Sequence, residues 1–109
     1  LTMNGQALAD LASQFGTPLH VVSAETIRAR TQELKNAFAA YPGGVSLHFS
    51  YKTNSVAGIL GLLHGEGIGA EVVDGYELYL ARRLGVANEA IVFNGPNKSD
   101  EELTLMAEL

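Results

Sequence analysis

The chain has 109 residues, enough for one small domain, and its apolar content of 47% is typical of a globular chain with a hydrophobic core. The formal net charge of −5 argues against a nucleic acid or an anionic membrane as the partner, because both are themselves negative. The sequence contains no cysteine, which excludes a disulfide framework and a metal site built on thiolates.

No apolar run approaches the roughly 20 residues that a membrane-spanning helix needs, and no signal-peptide pattern opens the chain. We therefore expect a soluble cytoplasmic protein. The chain starts at Leu1 instead of a methionine and stops at Leu109 within an apparently helical run, so we expect a fragment or a processed product.

Residues 1–44 predict a helix, a strand and a second helix. Apolar residues recur at helical spacing from Gln6 to Phe15, and the Gly-Thr-Pro sequence of residues 16–18 ends that helix. The β-branched run at residues 19–22 is interpreted as a strand. Ser23 is suited to cap the next helix, which we predict from about Ala24 to Ala40.

From residue 45 onward the sequence predicts three βα units in succession. Strand-like runs begin near Val45, Ile68 and Ala90, about 22 residues apart, and a helical pattern follows each of them. Such a repeat indicates parallel strands joined by helical crossovers, either in a doubly wound sheet or in an arc of a barrel. Capping-box patterns at Asp74 and Ser99 mark helix starts at matching places in two of the units and so support the repeat.

The first of these strands ends in the main candidate for chemistry, Lys52. Large apolar residues alternate with small or polar ones, so one face of the strand carries Ser46, His48, Ser50 and Lys52. Lys52 lies at the carboxyl end of the strand, which is where parallel α/β proteins bind their ligands. A partly desolvated amine there can attack a carbonyl or aldehyde carbon, which makes Lys52 a Schiff-base candidate; the alternative is a solvated lysine at a strand end.

The second strand, residues 68–74, contains the other candidate, Glu71. Its carboxylate lies among apolar neighbours, where an unpaired charge is costly. Lys52 belongs to the preceding strand and is a suitable partner, so a structural ion pair and a place in a binding site are both open for Glu71. We expect Glu77 to cap the helix that follows.

The remaining polar residues predict no further site. We expect His48 to be a packed, hydrogen-bonded interior histidine and Lys98 to be a solvated surface residue, and His20 and His64 belong to no constellation. The sequence has no histidine pair for zinc, no acidic calcium loop and no nucleotide-binding glycine motif. We therefore predict no metal site.

The lysine element carries a family resemblance. Residues 49–55, Phe-Ser-Tyr-Lys-Thr-Asn-Ser, resemble the Tyr-x-x-Lys-x-Asn element of the fold-type III pyridoxal-phosphate decarboxylases, which include the diaminopimelate and ornithine decarboxylases. Residues 15–22 are similar to the opening of that family, and residues 94–99 are similar to the turn after its third barrel strand. The resemblance extends over nearly the whole chain, from about Phe15 to Ser99.

The resemblance implies site residues and a fold. It implies that Lys52 carries pyridoxal 5'-phosphate as a Schiff base and that Glu71 is the acidic residue near the cofactor, where the family more often has aspartate; Asp74 likewise replaces a serine. The implied fold is α/β, the N-terminal part of a (β/α)8 TIM-like barrel. Residues 1–44 would be a helix-strand-helix lead-in partly associated with a second β domain, and residues 45–109 would be about three βα units of an incomplete barrel, because a complete one needs about 250 residues.

The implied activity is decarboxylation of an amino acid with pyridoxal phosphate, the substrate being a diamino acid such as diaminopimelate, lysine or ornithine. The resemblance also implies a homodimer and places the phosphate-binding, ring-nitrogen and substrate-binding residues beyond residue 109, so that the fragment alone is inactive. Three alternatives stay open: a racemase with the same barrel, a non-catalytic carrier of pyridoxal phosphate, and a plain α/β interaction domain in which Lys52 is a surface amine.

Overall fold

The computed structural model describes residues 1–108, which form a mixed α/β arrangement of helices with two small sheets. Leu109, which ends the predicted last helix, lies outside the described residues. No helix within residues 1–108 combines the length and the apolar character needed to cross a membrane.

The chain begins with a short antiparallel hairpin. Strands β1 (Thr2–Met3) and β2 (Gln6–Ala7) pair across a turn at Asn4 and Gly5, whose φ angles of 49° and 78° suit a two-residue hairpin turn. Helix α1 (Leu8–Phe15) follows directly. The helix predicted from Gln6 therefore starts two residues later, because Gln6 and Ala7 bond to β1.

Residues 19–22 are not a strand, so that prediction was wrong. A strand requires a neighbour to complete its backbone hydrogen bonds, and no other strand among residues 1–108 pairs with this run. Helix α2 (Ala24–Ala37) ends three residues earlier than predicted. Its N-cap is confirmed, because the Ser23 side chain accepts a hydrogen bond from the Thr26 N–H at 3.0 Å.

The second half of the chain contains the three predicted βα units. The strands are β3 (His48–Ser50), β4 (Gly69–Val72) and β5 (Ile91–Phe93), and they form one parallel sheet in the order β3-β4-β5. The helices that follow them are α3 (Ala57–Gly65), α4 (Gly75–Arg83) and α5 (Asp100–Ala107), and a 3₁₀ turn (Asn88–Ala90) precedes β5. The strand order and the parallel pairing agree with consecutive helical crossovers along one sheet.

Strand β3 is shorter than the alternating pattern from Val45 to Lys52 predicts. Its ladder to β4 pairs His48 with Gly69, and the bonded region extends only as far as the Leu47 carbonyl and the Tyr51 N–H. Alternation of side chains continues beyond the ladder, but β4 begins only at Gly69 and the chain turns after Ser50, so the ladder is limited to residues 48–50. Lys52 therefore follows the strand and does not belong to it.

Helices cover one face of the parallel sheet. The core consists of apolar side chains on that face and on α3 and α4, namely Tyr51, Leu60, Ala70, Val72, Leu78, Ala81 and Ile91. Leu60 and Leu78 are fully buried, and burial of each contributes roughly 1.5–3 kcal/mol. The other face carries the polar residues of β3 and β4, and this division positions the candidate site.

Only one of the two predicted capping boxes is complete. The Ser99 hydroxyl accepts from the Glu102 N–H, and the Glu102 carboxylate accepts from the Ser99 N–H, which confirms the box at α5. At α4 the Asp74 carboxylate accepts from the Glu77 N–H at 2.8 Å. The Glu77 carboxylate, however, accepts from the Val73 N–H at 2.9 Å, one residue before the cap, so Glu77 stabilises the end of β4.

Candidate functional site

Lys52 lies in a turn that leaves the carboxyl end of β3. The turn is closed by a hydrogen bond of 3.1 Å from the Thr53 N–H to the Ser50 carbonyl. The Lys52 side chain is exposed, so residues 1–108 do not supply the partial desolvation that the sequence predicts. The amine is therefore accessible at the edge where parallel α/β sheets bind ligands.

Three polar side chains on the face of the sheet opposite the apolar core have buried atoms without a hydrogen-bond partner. These atoms are His48 Nδ1, Ser50 Oγ and Glu71 Oε1. The register places Ser50 directly beside Glu71 on neighbouring strands. An unsatisfied buried polar atom costs about 1–3 kcal/mol, so three on one face indicate that the face meets further polar groups in the functional protein.

The predicted ion pair between Lys52 and Glu71 does not form within residues 1–108. The ion pairs described there are Arg28–Glu66 at 3.3 Å and Arg30–Glu33 at 2.6 Å, both away from this face. Glu71 lies opposite Ser50, whereas Lys52 has already entered the turn. Within residues 1–108 Glu71 is therefore not paired with Lys52, and its Oε1 is buried without a hydrogen-bond partner.

His48 shares the face of Ser50 and is partly buried, as predicted. The expected hydrogen bond to its Nδ1 is absent among the described residues. His48 therefore adds an unsatisfied group to this face and is not a fully satisfied core histidine.

The hydrogen-bonded pair of Tyr51 and His64 was missed by the sequence analysis. The Tyr51 hydroxyl lies 2.6 Å from His64 Nε2, and His64 Nδ1 lies 2.7 Å from the Ile68 carbonyl oxygen. Burial, and secondly the negative charge of Glu77, raise the pKa of Tyr51 to about 12, so the phenol keeps its proton. The available signal was a tyrosine on the apolar face of a strand, because a buried hydroxyl needs a polar partner.

The loops that follow β4 and β5 pack against each other at the carboxyl end of the sheet. Gly95 lies against the Val73 carbonyl, where no side chain fits. Lys98 donates to the Gly95 carbonyl at 2.5 Å and lies 5.3 Å from the centre of the Phe93 ring. The prediction of a solvated Lys98 was therefore wrong, because its amine holds the loop that follows β5.

Glu102 connects the N-terminal ends of α4 and α5. Its Oε1 accepts from the Gly75 N–H at 2.6 Å, and its Oε2 accepts from the Ser99 N–H at 2.8 Å. The bonds from Ser99 and Gly75 hold the pKa of this carboxyl below its usual range. The two helix ends that border the Lys52 edge are thus fixed to each other.

A cleft of about 500 Å³ lies at the opposite end of the sheet. Its lining includes Leu47, His48, Gly69 and Ala90, which mark the amino ends of the strands, and it does not include Lys52. Ligands of parallel α/β sheets bind at the carboxyl ends, so this cleft is not the candidate site. No group of three or more histidine, aspartate or glutamate side chains within residues 1–108 is arranged to hold a metal ion.

A protein-family model described as "Pyridoxal-dependent decarboxylase, pyridoxal binding domain" matches residues 24–109. The chain is 38% identical over 104 residues to diaminopimelate decarboxylase of Aquifex aeolicus, covering 95% of this chain and 24% of that protein. It is 37% identical over 107 residues to the enzyme of the same name from Methanocaldococcus jannaschii, covering 94% and 24%. The chain thus spans about a quarter of the length of these relatives.

Solved structures give a matching fold. The crystal structure of diaminopimelate decarboxylase from M. jannaschii in complex with L-lysine has a TM-score of 0.86 and 37% identity, over 98% of this chain and 26% of that one. The lysine/ornithine decarboxylase of Vibrio vulnificus in complex with putrescine has a TM-score of 0.81 and 26% identity, over 93% and 27%. The arrangement of strands and helices described above therefore recurs within longer decarboxylase chains.

Proposed function

Because this chain belongs to the pyridoxal-dependent decarboxylases, through their pyridoxal binding domain, we propose that it holds pyridoxal 5'-phosphate on Lys52 and supplies part of a decarboxylase active site. The observation that carries the proposal is the position of Lys52, an exposed amine at the carboxyl edge of the parallel sheet. Residues 45–109 are, in this proposal, the first βα units of a (β/α)8 barrel, and residues 1–44 are its lead-in.

The residues at this edge fit such a cofactor. A lysine amine forms a covalent bond with an aldehyde carbon, and Lys52 is accessible for that bond. On the same side of the sheet, Glu71 Oε1 accepts hydrogen bonds and Ser50 Oγ both donates and accepts them, and both atoms are buried without partners. We assign Lys52 as the Schiff-base lysine and Glu71 as a residue that holds and orients the cofactor.

Pyridoxal phosphate, when bound, supplies an electron sink for the electrons left when the α-carboxylate of an amino acid departs as carbon dioxide. Lys52 has two tasks in that chemistry. Its Nζ would hold the cofactor, and its amine, when free, would hold or donate a proton. The carboxylate of Glu71 stays in the site throughout and keeps the bound group in orientation.

The proposed substrate is a diamino acid such as diaminopimelate, lysine or ornithine. Support comes from the relatives, which are named diaminopimelate decarboxylases, and from solved neighbours in complex with L-lysine or putrescine. We further propose that the intact protein acts as a homodimer in the cytoplasm.

Reduction with borohydride tests the assignment of Lys52. The intact protein, which should show visible absorption from bound cofactor, is reduced and digested, and the modified lysine is located by peptide mass. We expect the label on Lys52, with Lys35 and Lys98 as unlabelled internal controls. No label, or a label on either control lysine, would overturn the proposal.

The reaction itself needs a second measurement. Diaminopimelate, lysine and ornithine are each incubated with the protein, and both carbon dioxide release and the chirality of the remaining amino acid are followed. Carbon dioxide release is expected from at least one of the three. Formation of the mirror-image amino acid without carbon dioxide would show a racemase instead, and cofactor binding without turnover would show a carrier.

A further inference from the structure

Tyr51 marks the point where the chain leaves the sheet. Its N–H donates to the Glu71 carbonyl at 3.0 Å, which is the last bond from this segment to β4. The next residue, Lys52, has no backbone bond to the sheet and lies in the turn. The position of the Lys52 backbone is therefore set by how firmly Tyr51 is held.

The side chain of Tyr51 provides that hold on the other face of the sheet. The ring is fully buried in the core, whereas the neighbouring Lys52 side chain is exposed. The Tyr51 hydroxyl reaches His64, in the last turn of α3, at 2.6 Å. Lys52 follows Tyr51 directly in the same turn, so a Tyr51 held through both its backbone and its ring limits how the Lys52 side chain can project.

The donors and acceptors in the hydrogen bonds of Tyr51 and His64 can be assigned in one consistent way. The Ile68 carbonyl can only accept, so His64 Nδ1 carries the proton in its bond of 2.7 Å. In the neutral imidazole His64 Nε2 is then an acceptor, and the Tyr51 hydroxyl donates to it. Burial, the main cause, raises the pKa of Tyr51 to about 12, which keeps this donor protonated at neutral pH.

The chain of bonds links the candidate site to two other elements. It runs from Tyr51 to the C-terminal turn of α3 and on to Ile68, the residue that precedes β4. Tyr51 also bonds through its backbone to Glu71, the second candidate residue. Both groups assigned to the cofactor are thus next to Tyr51, Lys52 through the chain and Glu71 through a backbone hydrogen bond.

From this geometry we propose that Tyr51 and His64 are positioning residues, which hold Lys52 in the orientation that the reaction requires. The inference rests on the proposed function of Lys52. It predicts that loss of the phenol–imidazole bond loosens Lys52 without removing it. The expected signs are a lower kcat with little change in KM, and a weaker visible circular dichroism band from bound cofactor.

The test uses the intact protein with its cofactor. Tyr51→Phe removes one oxygen and keeps the ring, and His64→Leu removes both hydrogen bonds of the imidazole. His64→Gln is the rescue variant, because its carbonyl oxygen accepts and its amide group donates. Tyr79→Phe is the matched control, because this tyrosine is 64% exposed on α4.

We expect Tyr51→Phe and His64→Leu each to lower kcat about fivefold, the effect of one neutral hydrogen bond. The double variant should be no worse than His64→Leu alone, because that variant already lacks the bond between Tyr51 and His64. His64→Gln should restore most of kcat and the circular dichroism band, and Tyr79→Phe should change neither. A purely structural role would lower the unfolding midpoint while leaving kcat and the band of the folded protein unchanged.

The outcomes separate this inference from the proposed function. A wild-type protein without a borohydride label on Lys52 would overturn both. A labelled Lys52 together with unchanged kcat and circular dichroism in Tyr51→Phe would overturn the positioning role alone. Should His64→Leu fail to fold, the contrast between Tyr51→Phe and His64→Gln decides the question by the same measurements.

Discussion

Lys52 and Glu71 differ in how far their surroundings prepare them for chemistry. Lys52 is exposed at the edge of the sheet within residues 1–108. Glu71 already has a buried oxygen, Oε1, without a partner. A buried carboxylate oxygen is stabilised only by a donor, so Glu71 is prepared to accept a hydrogen bond from a group that binds at this face.

Glu71→Gln tests that interpretation. Glutamine keeps the length of the side chain and one acceptor oxygen but removes the negative charge. We expect the variant to bind pyridoxal phosphate about tenfold more weakly, since a hydrogen bond to a charged group contributes about 1.5–3 kcal/mol and part of it is retained. The measurement is a titration of the cofactor-free intact protein, followed by visible absorption.

The matched control for this charge change is Glu89→Gln. Glu89 is exposed beside the amino end of β5, at the edge of the sheet away from Lys52. The control should bind the cofactor as the wild type does. Equal affinity in Glu71→Gln and the wild type would remove Glu71 from the site.

Replacing glycine by alanine should change the free energy of unfolding in opposite directions at Gly95 and at Gly61. A Cβ at Gly95 would overlap the Val73 carbonyl, whereas a Cβ at Gly61, within α3, meets nothing within 4 Å. We expect Gly95→Ala to destabilise the protein by about 1–3 kcal/mol through this overlap. Gly61→Ala should stabilise it by roughly 0.5–1 kcal/mol, because alanine favours a helix interior. Urea unfolding midpoints that move in the same direction would contradict the described loop packing.

At the scale of elements, local pattern predicted the three βα units well. Period-2 and helical periodicities alternate from residue 45 onward, and the caps at Ser23 and Ser99 mark helix starts that the structure contains. The length of β3 was not predictable in this way, because it depends on where β4 begins. The run at residues 19–22 has strand-like composition, yet composition cannot supply a neighbouring strand.

In the candidate site, too, features set by the local sequence pattern were predictable, and features set by tertiary packing were not. The polar face of β3, with His48 and Ser50, follows from alternation. The exposed side chain of Lys52 in a turn differs from the partly desolvated amine at a strand end that the sequence predicts. The bond between Tyr51 and His64 joins residues 13 positions apart and depends on how α3 packs against the sheet. The connection from Glu102 to Gly75 spans 27 positions and is likewise a product of tertiary packing. Periodicity contains no information on such contacts.

The connection between α4 and α5 has a defined pH dependence. Bonds from the Ser99 and Gly75 N–H groups lower the pKa of Glu102 from 4.5 in the folded protein. A carboxylate with a lowered folded-state pKa stabilises the fold above its unfolded pKa, and this contribution is lost as the pH falls through the folded value. We expect Glu102→Gln to lower the unfolding midpoint at neutral pH, and the difference from the wild type to shrink as the pH falls below 4.5.

Glu108→Gln is the control for this pH series, because it removes an exposed carboxylate at the other end of α5. Its unfolding midpoint should follow that of the wild type throughout. A difference between Glu102→Gln and the wild type that stays constant across the pH series would contradict a role for the charge of Glu102.

At the scale of the whole molecule, the parallel sheet has unpaired edges among the described residues. Strands β3 and β5 each pair only with β4, so each presents one open edge. The face that carries His48, Ser50 and Glu71 has three buried polar atoms without partners. Open edges and unsatisfied groups favour association with further strands, and the neighbours of known structure are about four times as long as this chain.

These features predict the behaviour of residues 1–109 expressed alone. We expect no carbon dioxide release from diaminopimelate, lysine or ornithine, because the sheet edges are open and the Lys52 side chain is exposed in this part of the protein. We also expect self-association, because an open strand edge pairs with another copy. Carbon dioxide release and sedimentation are measured at the same molar concentration as for the intact protein. A monomeric fragment that decarboxylates any of the three amino acids would show that the edges and the polar face need no further chain to complete the site.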